Sequence, residues 1–124
     1  MNERVKFRCF HKRGKKYIPL IEISFETNEV VVYQEKNSIV SMSDVILEQF
    51  TGILDRNGRE IYENDIIRDK DGESWNIGFY NGSWYAKKKG VFYQDKFLNV
   101  ARNGVVIGTV HDKRKEETTI LGEK

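Results

Sequence analysis

The chain has 124 residues, 39% hydrophobic and 32% charged, with a formal net charge of +2, so it is one ordinary domain or two small lobes able to bury a core without metals or cross-links. This composition excludes collagen, coiled coil and disorder, and no apolar run of about 18 residues offers a membrane span. The single cysteine, Cys9, rules out an internal disulfide, and the opening Met1-Asn2-Glu3-Arg4-Val5-Lys6 lacks the apolar stretch of a signal peptide, so a cytoplasmic protein is expected.

The dominant apolar period is two. In Val5-Lys6-Phe7-Arg8-Cys9 the odd positions are apolar and the even ones basic, which places Val5, Phe7 and Cys9 on the core face of an extended segment. Ile21-Glu22-Ile23-Ser24-Phe25-Glu26 repeats the alternation just after the only proline, Pro19. Thr27-Asn28-Glu29 then offers a turn before the β-branched Val30-Val31-Val32-Tyr33, so residues 20 to 34 predict a hairpin. Ser43-Asp44-Val45-Ile46-Leu47 is too short to settle its own period. With Ser43 or Asp44 as a cap, it reads as a brief helical turn entering a strand.

From Leu47 onward, turn signals arrive at hairpin spacing. Asn57-Gly58 follows Asp55-Arg56, Asp71-Gly72 separates Ile66-Ile67 from Trp75-Asn76-Ile77-Gly78-Phe79, and Asn81-Gly82 leads into Ser83-Trp84-Tyr85-Ala86. Phe92-Tyr93, Phe97-Leu98-Asn99-Val100 and Val105 to Val110 supply further strand candidates, with Asn103-Gly104 as another turn. The expectation is a mainly β protein, with an N-terminal β-hairpin lobe (1–46) packed on a small bent-sheet or barrel-like lobe (47–112), and a polar tail (113–124) that is mobile unless a partner holds it.

Charge is segregated along the chain. Residues 1 to 16 hold seven basic residues against Glu3, residues 17 to 65 hold three against ten acidic, and residues 66 to 124 hold eleven against eight. A basic head and an acidic middle attract each other, within one chain or between copies.

Glu48-Gln49-Phe50-Thr51-Gly52-Ile53-Leu54-Asp55-Arg56-Asn57-Gly58-Arg59-Glu60-Ile61-Tyr62-Glu63-Asn64-Asp65-Ile66-Ile67 closely resembles the YopX family of phage and prophage proteins. Lys6-Phe7-Arg8-Cys9-Phe10 is similar to the family's opening segment, and Val106-Ile107-Gly108-Thr109-Val110 to its closing strand. Phe10 stands where many members carry Trp, His11 where Asp is common, and Asn64 where Gly is usual; Asn is the non-glycine residue that best accepts a left-handed backbone. The resemblance implies a phage-borne accessory protein of the bacterial cytoplasm, largely β with a small barrel-like part, without an assigned reaction and assembled from several copies.

No residue pattern specifies a reaction. Asp55, Glu60, Glu63 and Asp65 are the residue types of a divalent-cation site in a hydrolase or nuclease, but their spacing matches no ligand signature, and Asp55 and Asp65 read as turn caps. No metal, cofactor or catalytic residue is predicted. Cys9 reads as a core residue rather than a nucleophile served by His11 or His111. The most binding-like stretch is Trp84 with Lys87, Lys88 and Lys89, since aromatics stack on bases and lysines meet phosphates, although alternation also allows Trp84 to be core and the lysines a solvated hairpin tip. The function expected is a non-catalytic, self-associating interaction module with a phage or host protein as partner. Single-stranded nucleic acid is the less favoured partner, because a net charge of +2 is small for such a binder.

Overall fold

A computed structural model describes residues 6–112. Strands hold 57% of them and helix 9%, so the protein is mainly β. The chain divides into two compact units, Met1–Phe50 and Thr51–Lys124, and the division falls inside a long strand, Val45–Leu54. The core position expected for Val5 and the tail after residue 112 lie outside the described residues.

In the first unit, β1 (Phe7–His11) pairs with β2 (Lys16–Ile18) and with the start of β6 (Val45–Leu54), with Cys9 opposite both Ile18 and Leu47. A second sheet, ordered β3-β4-β5, joins Leu20–Ser24, Glu29–Tyr33 and Asn37–Ser41. Cys9, Ile18, Val30, Val32 and Val45 form the buried core, with Leu20, Ile23, Val40, Met42 and Leu47 against it. The predicted hairpin over residues 20 to 34 is present, and Asn28 takes the positive φ of its turn. Two of its expected core residues are not buried, however. The register shifts between Leu20 and Glu22, which turns Ile21 outward, and Phe25 lies beyond the end of β3 at 71% exposure. The helical turn is a 3-10 turn, Met42–Asp44, entering β6 as expected, but its cap is Ser41 rather than Ser43 or Asp44.

The second unit is built on a curled five-stranded antiparallel sheet, ordered β11-β10-β9-β8-β12. Its strands are β8 (Asp65–Arg68), β9 (Ser74–Tyr80), β10 (Ser83–Lys88), β11 (Val91–Tyr93) and β12 (Val105–Thr109); β7 (Glu60–Tyr62) pairs with the end of β6. One element departs from the strand expected at residues 97 to 100, for Phe97–Asn103 is a helix, α1. Phe97, Val100 and Ala101 supply helical spacing, and all three are buried against Ile61, Ile67, Trp75, Ile77, Ala86 and Val106. Gly104, read from sequence as half of a hairpin turn, ends this helix at a negative φ. It is needed for space: an added Cβ would run into the Ile67 side chain and lie 2.7 Å from the Val100 carbonyl oxygen.

Candidate interaction surfaces

The β3-β4-β5 sheet is apolar on both faces. Val30 and Val32 point into the core, so alternation sends Val31 and Tyr33 outward, and on β5 it sends out Ile39, which is 69% exposed. Ile21 joins them through the bulge. By register and alternation the exposed Glu22 and Glu29 share this face, and the exposed Glu26 and Glu35 stand in the turns at its two ends, Glu35 beside Lys36. The turn between β1 and β2 carries the opposite charge, with Lys12, Arg13, Lys15 and Lys16 all exposed. Lys12 Nζ donates to the Ser43 carbonyl at 2.9 Å. Within the described residues the attraction expected from charge segregation is met by Arg8 and Glu48, whereas none of these four cations forms an ion pair with any of the four glutamates.

On the second unit, the tight hairpins at Asn81-Gly82 and Lys89-Gly90, all four residues at positive φ, fix the registers of β9, β10 and β11. Those registers sort the residues singled out from sequence. Trp84 lies on the core side, stacked on Phe97 at 6.0 Å between ring centroids. Lys88 shares that side, over Trp75 and in an ion pair with Glu73. Lys87 projects from the opposite face over Phe92, and Lys89 occupies the exposed hairpin tip. The structure therefore does not bring Trp84, Lys87, Lys88 and Lys89 onto one surface. It assembles instead an outer face of Tyr80, Tyr85, Lys87 and Phe92, with Phe92 centred 5.5 Å from each tyrosine ring and Lys87 Nζ at 4.8 Å. Gly78, opposite Tyr85, keeps this face low, because a Cβ there would lie 2.9 Å from Lys87.

The four carboxylates considered for a metal are held separately. Asp55 Oδ1 accepts from the amides of Asn57 and Arg59, and Oδ2 from the Val106 amide. Burial pushes its pKa up, but the amides of Val106, Arg59 and Asn57 and the Arg59 charge outweigh that and leave it below the ordinary carboxylate value. Asp65 accepts from the Tyr62 amide at 2.8 Å and supports the left-handed Asn64, as Asn in a usual Gly position predicts. Glu60 accepts from the Tyr62 hydroxyl, and Glu63 is also engaged. Among the described residues, no group of three or more His, Cys, Asp or Glu is arranged to hold a metal ion.

Cys9 is fully buried, and burial raises its thiol pKa. His11 Nδ1 accepts the Gly14 amide in the β1–β2 turn, and the His111 amide donates to Thr109. Cys9 is therefore expected to react with a disulfide reagent on the order of a hundredfold more slowly in the native protein than in denaturant, as followed by thiol absorbance. A native rate close to the denatured one would contradict this placement.

Two features were missed by sequence reasoning. One is Glu48, fully buried in the first unit, where Oε1 accepts from Arg8 Nε and from the Tyr17 hydroxyl, each at 2.8 Å. The other is a recurrence, Asp55-Arg56-Asn57-Gly58-Arg59 and Asp69-Lys70-Asp71-Gly72-Glu73, in which the Asp Oδ1 accepts the amides two and four residues on and the Gly sits at a φ of +85°. The Asp-x-[Asn/Asp]-Gly spacing was the available signal.

The YopX protein family matches residues 6–115. No curated protein matches the chain. A crystal structure of protein EF1440 from Enterococcus faecalis is similar in fold, with a TM-score of 0.59 at 20% identity, over 90% of this chain and 96% of that one.

Proposed function

The chain belongs to the YopX family, and from that premise we propose that it is a phage or prophage accessory protein of the bacterial cytoplasm that acts as a non-catalytic, self-associating interaction module. One observation carries the reading: the basic β1–β2 turn and the acidic-rimmed apolar face of β3-β4-β5 are complementary and form no ion pair with each other among the described residues. Contact between the turn of one copy and the sheet face of the next joins opposite charges and covers Ile21, Tyr33 and Ile39. Such a contact is heterologous, so it generates a ring if the rotation closes. The carboxylates of a hydrolytic alternative support it less well, since Asp55 and Asp65 are engaged by backbone amides. No described helix is long and apolar enough to cross a membrane.

Light scattering across protein concentration and salt tests this reading. The expected result is an assembly at low salt whose mass falls as salt rises, because screening shortens the reach of exposed charges to about 8 Å at physiological ionic strength. A monomer at high concentration and low salt would refute it.

A second reading rests on the outer face of Tyr80, Tyr85, Lys87 and Phe92, where bases of single-stranded nucleic acid have rings to stack on and a lysine to meet phosphate. A pull-down from induced cells, with and without nuclease, separates this from a phage or host protein partner. A nuclease-resistant complex is expected. A nuclease-sensitive complex that Phe92→Ala weakens by about 1–3 kcal/mol would reverse the preference.

A further inference from the structure

The recurrent Asp-capped turns flank the β8–β12 edge of the second unit. Arg56 and Lys70 occupy the same position in the two turns, directly after the capping Asp. Arg68, the last residue of β8, is the cross-strand partner of Val105. These three cations line one groove of about 430 Å³ together with Asn57, and the half-buried Val105 and Ile107 add apolar surface to it. The Arg56 amide donates to the Gly104 carbonyl at 2.9 Å, which fixes the first turn against the start of β12.

None of the Arg56, Arg68 and Lys70 side chains makes an ion pair or hydrogen bond among the described residues. The one carboxylate in the groove, Asp69, already accepts two turn amides at Oδ1 and the Trp75 indole N–H at Oδ2. Three like charges gathered on backbone held by capped turns repel one another, and an anion relieves that repulsion. Guanidinium forks match the oxygens of a phosphate, and the apolar surface suits an organic body rather than a bare ion.

We propose that this groove binds a phosphate monoester carried on a body of nucleoside size, through Arg56, Arg68 and Lys70. The phosphate lies between the three cations, and the body rests against Val105 and Ile107. This site is independent of the self-association proposed above and stands or falls separately.

The test is an amide-resolved NMR titration of the full chain with adenosine 5′-monophosphate, adenosine, inorganic phosphate and an eight-residue oligothymidylate. Adenosine 5′-monophosphate is expected to shift the amides of Arg56, Asn57, Arg68, Lys70, Val105 and Ile107, while adenosine leaves them in place. The double variant Arg56→Gln, Arg68→Gln should weaken binding by about tenfold or more. Its melting temperature should hold, since neither side chain makes an ion pair or hydrogen bond among the described residues. An oligonucleotide that binds these residues more tightly, with a steep salt dependence, would overturn the monoester in favour of the phosphodiesters of a strand; weaker binding of the oligonucleotide is expected. No shift with either compound at about 10 mM, an affinity no better than that of inorganic phosphate, or full affinity in the double variant would overturn the proposal.

Discussion

Replacing Glu48 with alanine is expected to cost about 3–5 kcal/mol of folding stability, the range for removing one member of a buried ion pair. Glu48 has no exposed surface, and its Oε1 receives both the Arg8 guanidinium and the Tyr17 hydroxyl, while Arg8 also lies over the Tyr17 ring at 4.4 Å. Phe10 is set edge-on to Tyr17 at 5.1 Å, so the polar group is walled by aromatic surface. Residues of one network are not additive. Arg8→Met with Glu48→Leu should therefore be far less damaging than the two single changes suggest, since an apolar replacement removes the desolvation cost together with the pair. Urea unfolding of Glu48→Ala, the two single changes and their double measures this. A Glu48→Ala loss below about 1 kcal/mol would contradict it.

The second large effect is expected at Asp55. Its three amide partners include the buried Val106 amide on β12, 51 positions away, while Arg59 Nη1 donates to the Val106 carbonyl from the same turn. The turn thus occupies both backbone polar groups of Val106 on an edge strand, where open groups would otherwise invite pairing with another chain. Asp55→Ala leaves these donors unmet and should cost about 2–4 kcal/mol, whereas Asp69→Ala, which frees two exposed turn amides and the part-buried Trp75 indole N–H, should cost about 1–2 kcal/mol. The pH dependence follows from the lowered pKa of Asp55. A carboxyl with a folded pKa below its unfolded value near 3.9 contributes fully above that value and loses its contribution as pH falls through the folded pKa. The stability gap between the wild type and Asp55→Asn should therefore be widest above about pH 5 and shrink through the acid range below pH 4. A gap that stays constant with pH would show that the charge of Asp55 is not what holds the turn.

Much of this fold was legible because period-two alternation is a direct statement about sheet faces. It placed Cys9 inside, and set Trp84 and Ala86 on the face opposite Tyr85 and Lys87. It failed where the backbone departs from regular pleating. The bulge after Leu20 is invisible in Ile21-Glu22-Ile23, and Phe97-Leu98-Asn99-Val100 fits a strand as readily as a helix until Ala101 completes the helical spacing. The turn at Lys89-Gly90 is legible only as one of two alternatives, a solvated hairpin tip, because lysine carries no turn signal of its own, although Lys89 adopts a φ of +51°. The charge poles could be counted in sequence, but whether the basic turn and the acidic face meet within one chain is a matter of geometry. The cations of the groove are spread over residues 56 to 70, and only their shared position after two capping aspartates connects two of them.

The most direct measurement of the proposed assembly is a charge-exchange experiment by light scattering. One variant carries Lys15→Glu and Lys16→Glu in the basic turn, and another carries Glu22→Lys and Glu29→Lys on the sheet face; all four side chains are exposed, so both variants should fold. Each is expected to be monomeric at a concentration where the wild type assembles, because like charges then face each other across the contact. Mixed in equal amounts, the two should regain a mass above the monomer, since the altered turn of one now meets the altered face of the other. Variants that each assemble to the wild-type mass on their own would contradict the account.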